Sequence, residues 1–204
     1  MILFIGDNIL NKMMNDTKEK ILQKVSILFY TKGYTNTGID QITKEIGITK
    51  PSLYHHFDSK NNLGLVYLDK KKESLFTLLT SLLDKSHTFS DYLNRWANAL
   101  ILLSKRKQFY GCPFTAFASE MKPEDRPIFE EKLRAIEKDW LSFQETAYLK
   151  FYPNAKNGKE IASKILILHT GCVMLYRSSL DIKYIKQLKR EFSELSKLVD
   201  TRLS

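Results

Sequence analysis

The sequence predicts an all-α protein of about nine helices, a three-helix head followed by a C-terminal helical bundle. Three observations carry that expectation. Long stretches repeat apolar residues at spacings of three and four, as in Phe129, Leu133, Ile136, Trp140, Phe143 and Ala147. Pro and Gly number only 5 and 8, too few for a sandwich built on many tight turns. Sustained β-branched alternation is hard to find.

The elements follow in order. Asp16-Thr-Lys-Glu19 reads as a capping box opening the first helix of the head, whose apolar stripe is Ile21, Val25, Leu28 and Phe29. Gly33 is placed to end it. Thr37 is expected to cap a short helix with Ile39, Ile42 and Ile46 on its inner face, and Gly47 to break that helix. Thr49 then caps a third short helix. Pro51 sits in its first turn, where a missing N–H costs nothing, and Leu53 and Phe57 face inward. Ser59 caps a long fourth helix through about Leu83, with Leu63, Val66, Leu75, Leu78 and Leu82 apolar. Further helices are expected over about 89–106, just after Pro113, over about 124–151, over 161–180, and through the Ile185–Val199 stripe. The stretch Pro153-Asn-Ala-Lys-Asn-Gly158 is a loop.

Composition narrows the function. The 204 residues allow one large core or two small ones. Two cysteines, Cys112 and Cys172, are too few for a secreted disulfide scaffold, and a reducing, cytoplasmic setting is expected. The apolar start lacks a basic region and is broken by Asp7, so it is not a signal peptide. Residues 1–14 read as a loose extension, with Met13 and Met14 as alternative starts. No apolar run is long enough to predict a membrane span. No serine–histidine–aspartate set, phosphate loop or zinc motif is present, so neither enzymatic activity nor a cofactor is expected. His55 and His56 diverge on a helix and have no carboxylate or thiol at ligand spacing, which argues against a metal site.

The formal charge of +9 suits a polyanionic partner. Its distribution does not locate that partner. Through Asp58 there are seven lysines against six acidic residues, a net of about +1. Much of the excess lies later, for example in Lys70-Lys71-Lys72, which read as a solvated face of the fourth helix.

The informative segment is Gly38–Phe57. Gly47 lets the chain reverse between two short helices. Ile42, Ile46, Ile48, Leu53 and Phe57 form a small core that sets their angle. The second helix then presents Thr49, Lys50, Ser52, Tyr54 and His55 outward, groups suited to phosphates and base edges in a major groove.

Phe29-Tyr-Thr-Lys-Gly-Tyr34, Thr37-Gly-Ile-Asp-Gln-Ile42, Gly47-Ile-Thr-Lys-Pro-Ser-Leu-Tyr-His-His-Phe57 and Ser59-Lys-Asn-Asn-Leu63 together resemble the N-terminal domain of the TetR family of regulators. The resemblance runs from Thr17 to Leu68; beyond it, only helix number and length are similar. It implies a homodimer on a palindromic double-stranded DNA operator, with repression the expected direction, and a small apolar or aromatic effector that changes the spacing of the two heads. By position, Thr37 and Lys60 resemble phosphate contacts. Lys50, Pro51, Ser52 and Tyr54 sit where base and groove contacts are made, and His55 resembles a backbone contact. Pro51 stands where the family often has Gly. The implied partition is an extension over 1–14, a DNA-binding domain over 15–62 and an effector and dimerisation domain over 63–204.

The C-terminal aromatics read either as core or as the wall of an effector pocket. The pocket candidates are Trp96, Leu100, Phe114, Phe117, Trp140, Phe143, His169, Cys172 and Tyr176; the last three share a helix face that lines either the pocket or the dimer seam, and pocket and core suit them equally. Cys112 opens a helix beside Lys105, Arg106 and Lys107. It is either a reactive sensor of oxidants and electrophiles with a lowered pKa or a buried small hydrophobe. Ile165, Leu168, Ile185, Leu188, Phe192, Leu195 and Val199 are expected at the dimer interface, the last five as a coiled-coil-like seam. An architectural DNA-binding protein without effector is the alternative that a dry, fully packed interior favours.

Overall fold

The computed structural model describes the backbone of residues 3–203 and the side chains of residues 17–201. Within it lie nine helices and no strand: α1 (Leu3–Lys32), α2 (Ile39–Ile46), α3 (Lys50–His56), α4 (Lys60–Asp84), α5 (Phe89–Lys105), α6 (Pro113–Glu120), α7 (Arg126–Phe151), α8 (Gly158–Ser179) and α9 (Lys183–Leu203). The all-α expectation holds.

Several ends in the head are set by the predicted signals. The Thr49 and Ser59 hydroxyls accept from the amides of Ser52 (3.3 Å) and Asn62 (3.0 Å), satisfying donors that a helix start leaves open. Gly47 closes α2 in the left-handed region at φ 78°, where a side chain is strained. Two starts differ from expectation. Helix α1 runs through Asp16 from Leu3, so Asp16 is inside a helix and not at its start; the side chains of Asp16 and of the expected extension lie outside the described residues. Helix α2 is capped by Gly38, not by Thr37.

In the head, α1 packs on α2 and α4, and α2 on α3. Ile21, Val25, Leu28, Phe29, Ile42, Leu53 and Phe57 are all buried. Ile46 and Ile48 pack at the edge of the same core. An aromatic cluster then joins head to body. Tyr34 meets Phe117 (4.6 Å between centroids) and Phe129 (5.3 Å), and Phe117 also meets Tyr67. Edge-to-face and offset contacts of this kind are favourable beyond their buried area.

In the body, α9 lies against both α5 and α8, and α7 against α4 and α8. This corrects the interface expectation. Ile185, Leu188, Phe192, Leu195 and Val199 are buried inside the single chain, as is Ile165. Phe192, for instance, sits 5.3 Å from Trp96 of α5. A helical stripe states only that a face is covered; here the covering surface is α5 and α8 of the same protomer. Leu168 is half-buried. The open face of α8 is instead Ile167 (67% exposed), Gly171 and Leu175 (50%), at i, i+4 and i+8, with Leu198 of α9 also exposed. Among the described residues, no helix is long and apolar enough to cross a membrane.

Candidate nucleic-acid interface and ligand cavity

The candidate reading face is α3 and its flanks. Thr49, Lys50, Pro51, Tyr54 and His55 are exposed, and Ser52 is partly so. Tyr54 is an aromatic ring 45% exposed on a helix whose opposite face, Leu53 and Phe57, is buried. Such a ring in water loses apolar burial unless a partner covers it. Lys50 reaches back to Asp40 of α2 at 2.6 Å, and this pairing raises its pKa. Lys60 is half-buried with its ammonium 4.4 Å from the centre of the Tyr34 ring.

Thr37 is the exception among the expected DNA contacts. It is fully buried. Its hydroxyl donates to the Gly33 carbonyl (2.7 Å) and its amide to the Tyr34 carbonyl (3.3 Å). The sharp exit from α1 leaves carbonyls that need partners, and Thr37 supplies them. It positions the entry to α2 and offers no side-chain atom to a phosphate.

The Lys50–Asp40 pair makes a prediction. Asp40→Asn frees Lys50 and removes a negative charge beside the reading face. Nonspecific DNA affinity is expected to rise, with the salt slope of log K steeper by up to about 0.9 per head. Fluorescence anisotropy on random duplex across a salt series measures this. An unchanged affinity and slope means that Lys50 does not reach DNA.

The second feature is a cavity of about 310 Å³ in the body. Trp96, Leu100, Phe114, Trp140 and His169, all expected at a pocket, line it. Four expected residues do not. Phe117 belongs to the head–body aromatic cluster. Phe143 meets Phe76 on the α4–α7 seam. Cys172 packs at the core edge, and Tyr176 stands behind the wall, donating to the Phe109 carbonyl at 2.9 Å. Helix α4 contributes Lys71, Leu75 and Leu78, which sequence reasoning did not place there. Their apolar spacing marked α4 as amphipathic without saying that one side faces a void.

Lys71 also corrects the expected solvated lysine run. Lys70 pairs with Glu73 at 3.3 Å and Lys72 with Asp139 of α7. Lys71 turns inward, its ammonium 4.5 Å from the Tyr30 ring centre.

The segment that walls the cavity, Gln108–Phe114, also grips the head. The Tyr30 hydroxyl donates to the Gly111 carbonyl (2.7 Å) and accepts from the Tyr110 amide (3.1 Å). Thr35 donates to the Glu120 carbonyl at 2.6 Å. Arg177 of α8 donates to the Tyr110 carbonyl and to the Glu120 carboxylate, each at 3.0 Å. Gly33 has φ 91°, where a side chain is strained, and a Cβ there would lie 2.0 Å from Glu120 Oε2 and displace that carboxylate.

Cys112 lies on the same wall and is buried. Burial raises its pKa, although the Thr115 and Phe114 amides at the start of α6 and the Arg177 charge pull the other way. The lowered pKa expected of a sensor is therefore reversed, because desolvation outweighs the helix end. At neutral pH the thiolate fraction falls below that of a free cysteine. Alkylation of the folded protein, followed by mass spectrometry, is expected to leave Cys112 unmodified under conditions that label it fully after denaturation. Equal rates in the two states would restore the sensor reading.

A short exposed helix set by a tight turn against a buried partner, ahead of a bundle with a partly open cavity, has the form of a helix-turn-helix DNA-binding regulator. Residues 21–65 match the profile described as "Bacterial regulatory proteins, tetR family", so the N-terminal head is of the TetR type of transcriptional regulator. It is 26% identical over 162 residues to the HTH-type transcriptional regulator LmrA of Bacillus subtilis (strain 168), spanning 78% of this chain and 86% of that protein. Over 75 residues it is 35% identical to the biofilm operon icaADBC HTH-type negative transcriptional regulator IcaR of Staphylococcus aureus; that match spans 37% of this chain and 38% of IcaR. The fold is shared with a TetR-family regulator from Cytophaga hutchinsonii at TM-score 0.78 and 19% identity, covering 90% of this chain and 94% of the other.

Proposed function

We propose that the chain is a repressor that binds a palindromic operator as a homodimer and is released by a small, largely apolar effector bound in the cavity of the body. One observation carries the effector part. The segment 108–114 walls the cavity and, through Tyr110 and Gly111, holds Tyr30 of α1. A ligand that shifts this wall shifts the head with it. An effector that prefers the shifted state draws the protein off DNA by its difference in affinity for the two states.

The negative role named for IcaR supports repression. Dimerisation is assigned to the open face of α8, Ile167, Gly171 and Leu175, with Leu198 of α9. Two such faces related by a twofold axis give two heads for two half-sites. The DNA-binding residues in this reading are Thr49, Lys50, Pro51, Ser52, Tyr54, His55 and Lys60, within a domain over 15–62, and the setting is the cytoplasm.

The test has two parts. Selection from random duplex is expected to return a palindrome bound by two protomers; recovery of a single half-site, or no sequence preference, overturns the DNA part. A ligand screen read by thermal shift is then expected to yield molecules that dissociate the complex. Ligands that fill the cavity and leave operator affinity unchanged overturn the effector part.

A further inference from the structure

We infer that the cavity takes an organic anion, a molecule with an apolar, planar body and one carboxylate-type group whose charge is met by Lys71. This rests on the effector reading above and specifies the ligand class of that site.

Charge is the first argument. No acidic side chain lines the cavity, and Lys71 is the one ammonium or guanidinium in its wall. Among the described residues Lys71 has no carboxylate partner. Its ammonium rests instead over the rings of Tyr30 and Tyr67, at 4.5 and 5.6 Å. Both of its lysine neighbours are ion-paired. Desolvation lowers its pKa, and no nearby acid offsets this. A largely desolvated ammonium without a counter-ion is costly, and an anion in the cavity relieves that cost. A lipophilic cation meets the opposite situation: no carboxylate to receive it and one ammonium to repel it.

Hydrogen-bonding capacity is the second argument. Three other lining residues carry buried nitrogens without partners: Trp96 Nε1, Trp140 Nε1 and His169 Nδ1. An indole N–H only donates, so ligand atoms that satisfy the tryptophans are acceptors. Burial pushes His169 down to about 3, so it is neutral and adds no second charge.

Shape is the third. Trp96, Trp140 and His169 stand 4.9 to 6.2 Å apart between ring centroids. With Phe114 beyond Trp140, they offer flat apolar surfaces to a planar body.

The experiment uses the full-length protein and three probes of one shape: biphenylcarboxylate, biphenylcarboxamide and biphenylmethylammonium. Trp96 and Trp140 are the only tryptophans in the chain, so quenching of intrinsic fluorescence reports occupancy, with calorimetry for affinity. The carboxylate is expected to bind at least about tenfold tighter than the amide, as a charge-assisted contact does, and the ammonium most weakly. Lys71→Met is expected to equalise carboxylate and amide while leaving amide affinity within about threefold, since its stem still packs. Lys71→Arg keeps the preference. Lys71→Gln replaces the methionine variant if that one fails to fold. Equal or tighter binding of amide or ammonium to the unmodified protein overturns the inference. So does a carboxylate preference that survives Lys71→Met, or no quenching by any probe at millimolar concentration. If the amide fills the cavity and releases operator as well as the carboxylate does, the effector reading stands and the anion inference alone falls. If the carboxylate binds through Lys71 but DNA stays bound, the effector reading alone falls.

Discussion

Tyr54→Ala is expected to abolish specific operator binding while leaving the fold intact. The ring is 45% exposed, whereas its neighbours Leu53 and Phe57 are buried and hold α3 in place. Removing one specific contact costs about 1–3 kcal/mol per head, and a dimer loses it twice. The combined loss is on the order of 30- to 10⁴-fold at the operator. Nonspecific affinity should change little, because it comes mainly from neutralised phosphates and Tyr54 carries no charge. Anisotropy with the selected palindrome and a scrambled duplex separates the two, and a thermal melt checks the fold. Unchanged operator affinity would remove Tyr54 from the interface.

The second large effect concerns pairing. Ile167→Glu places a charge on the exposed α8 face, where it disturbs nothing within the protomer. The variant is expected to be monomeric at micromolar concentration with an unchanged thermal midpoint. Because each head then binds alone, operator affinity is expected to fall by about 10²–10⁴-fold, the usual gain from linking two sites. Ile185→Glu is the contrast. That side chain is fully buried within the chain, so an unpaired charge there should destabilise the protomer itself by several kcal/mol, on the order of the whole margin of stability. Light scattering and thermal melts distinguish the two outcomes. A monomeric unmodified protein sinks the dimer reading. A dimer that survives Ile167→Glu but not a conservative change along the Ile185 stripe would return the interface to α9.

Much of the head was legible because its signals are local. Thr49 and Ser59 cap helices by bonding three residues ahead, and Gly47 reverses the chain through its own φ. Leu53 and Phe57 differ from Tyr54 in hydrophobic phase, so the reading face of α3 followed from the pattern. Thr37 was misread for the same reason. A threonine before a short helix looks like a cap, but the Gly33 carbonyl, brought close by the turn after α1, takes its hydroxyl.

The cavity was legible only in part. Trp96, Phe114 and Trp140, singled out by the aromatic content of the domain, and His169, singled out by its helix face, line the void. Phe117, by contrast, has the same composition signal but serves the head–body joint. Nothing local separates the two uses, since both bury a ring.

The amino-acid sequence by itself determined the all-α class, the helix-turn-helix and its outward residues, because caps, turns and periodicity act over a few positions. Only the tertiary structure decided which partner covers each buried stripe and which lysine of Lys70–Lys72 turns inward. Periodicity says that a face is buried without naming what buries it. The α9 stripe is covered by α5 and α8 of its own chain, leaving Ile167 and Leu175 outside, and Lys71 differs from its neighbours only in what α4 happens to meet.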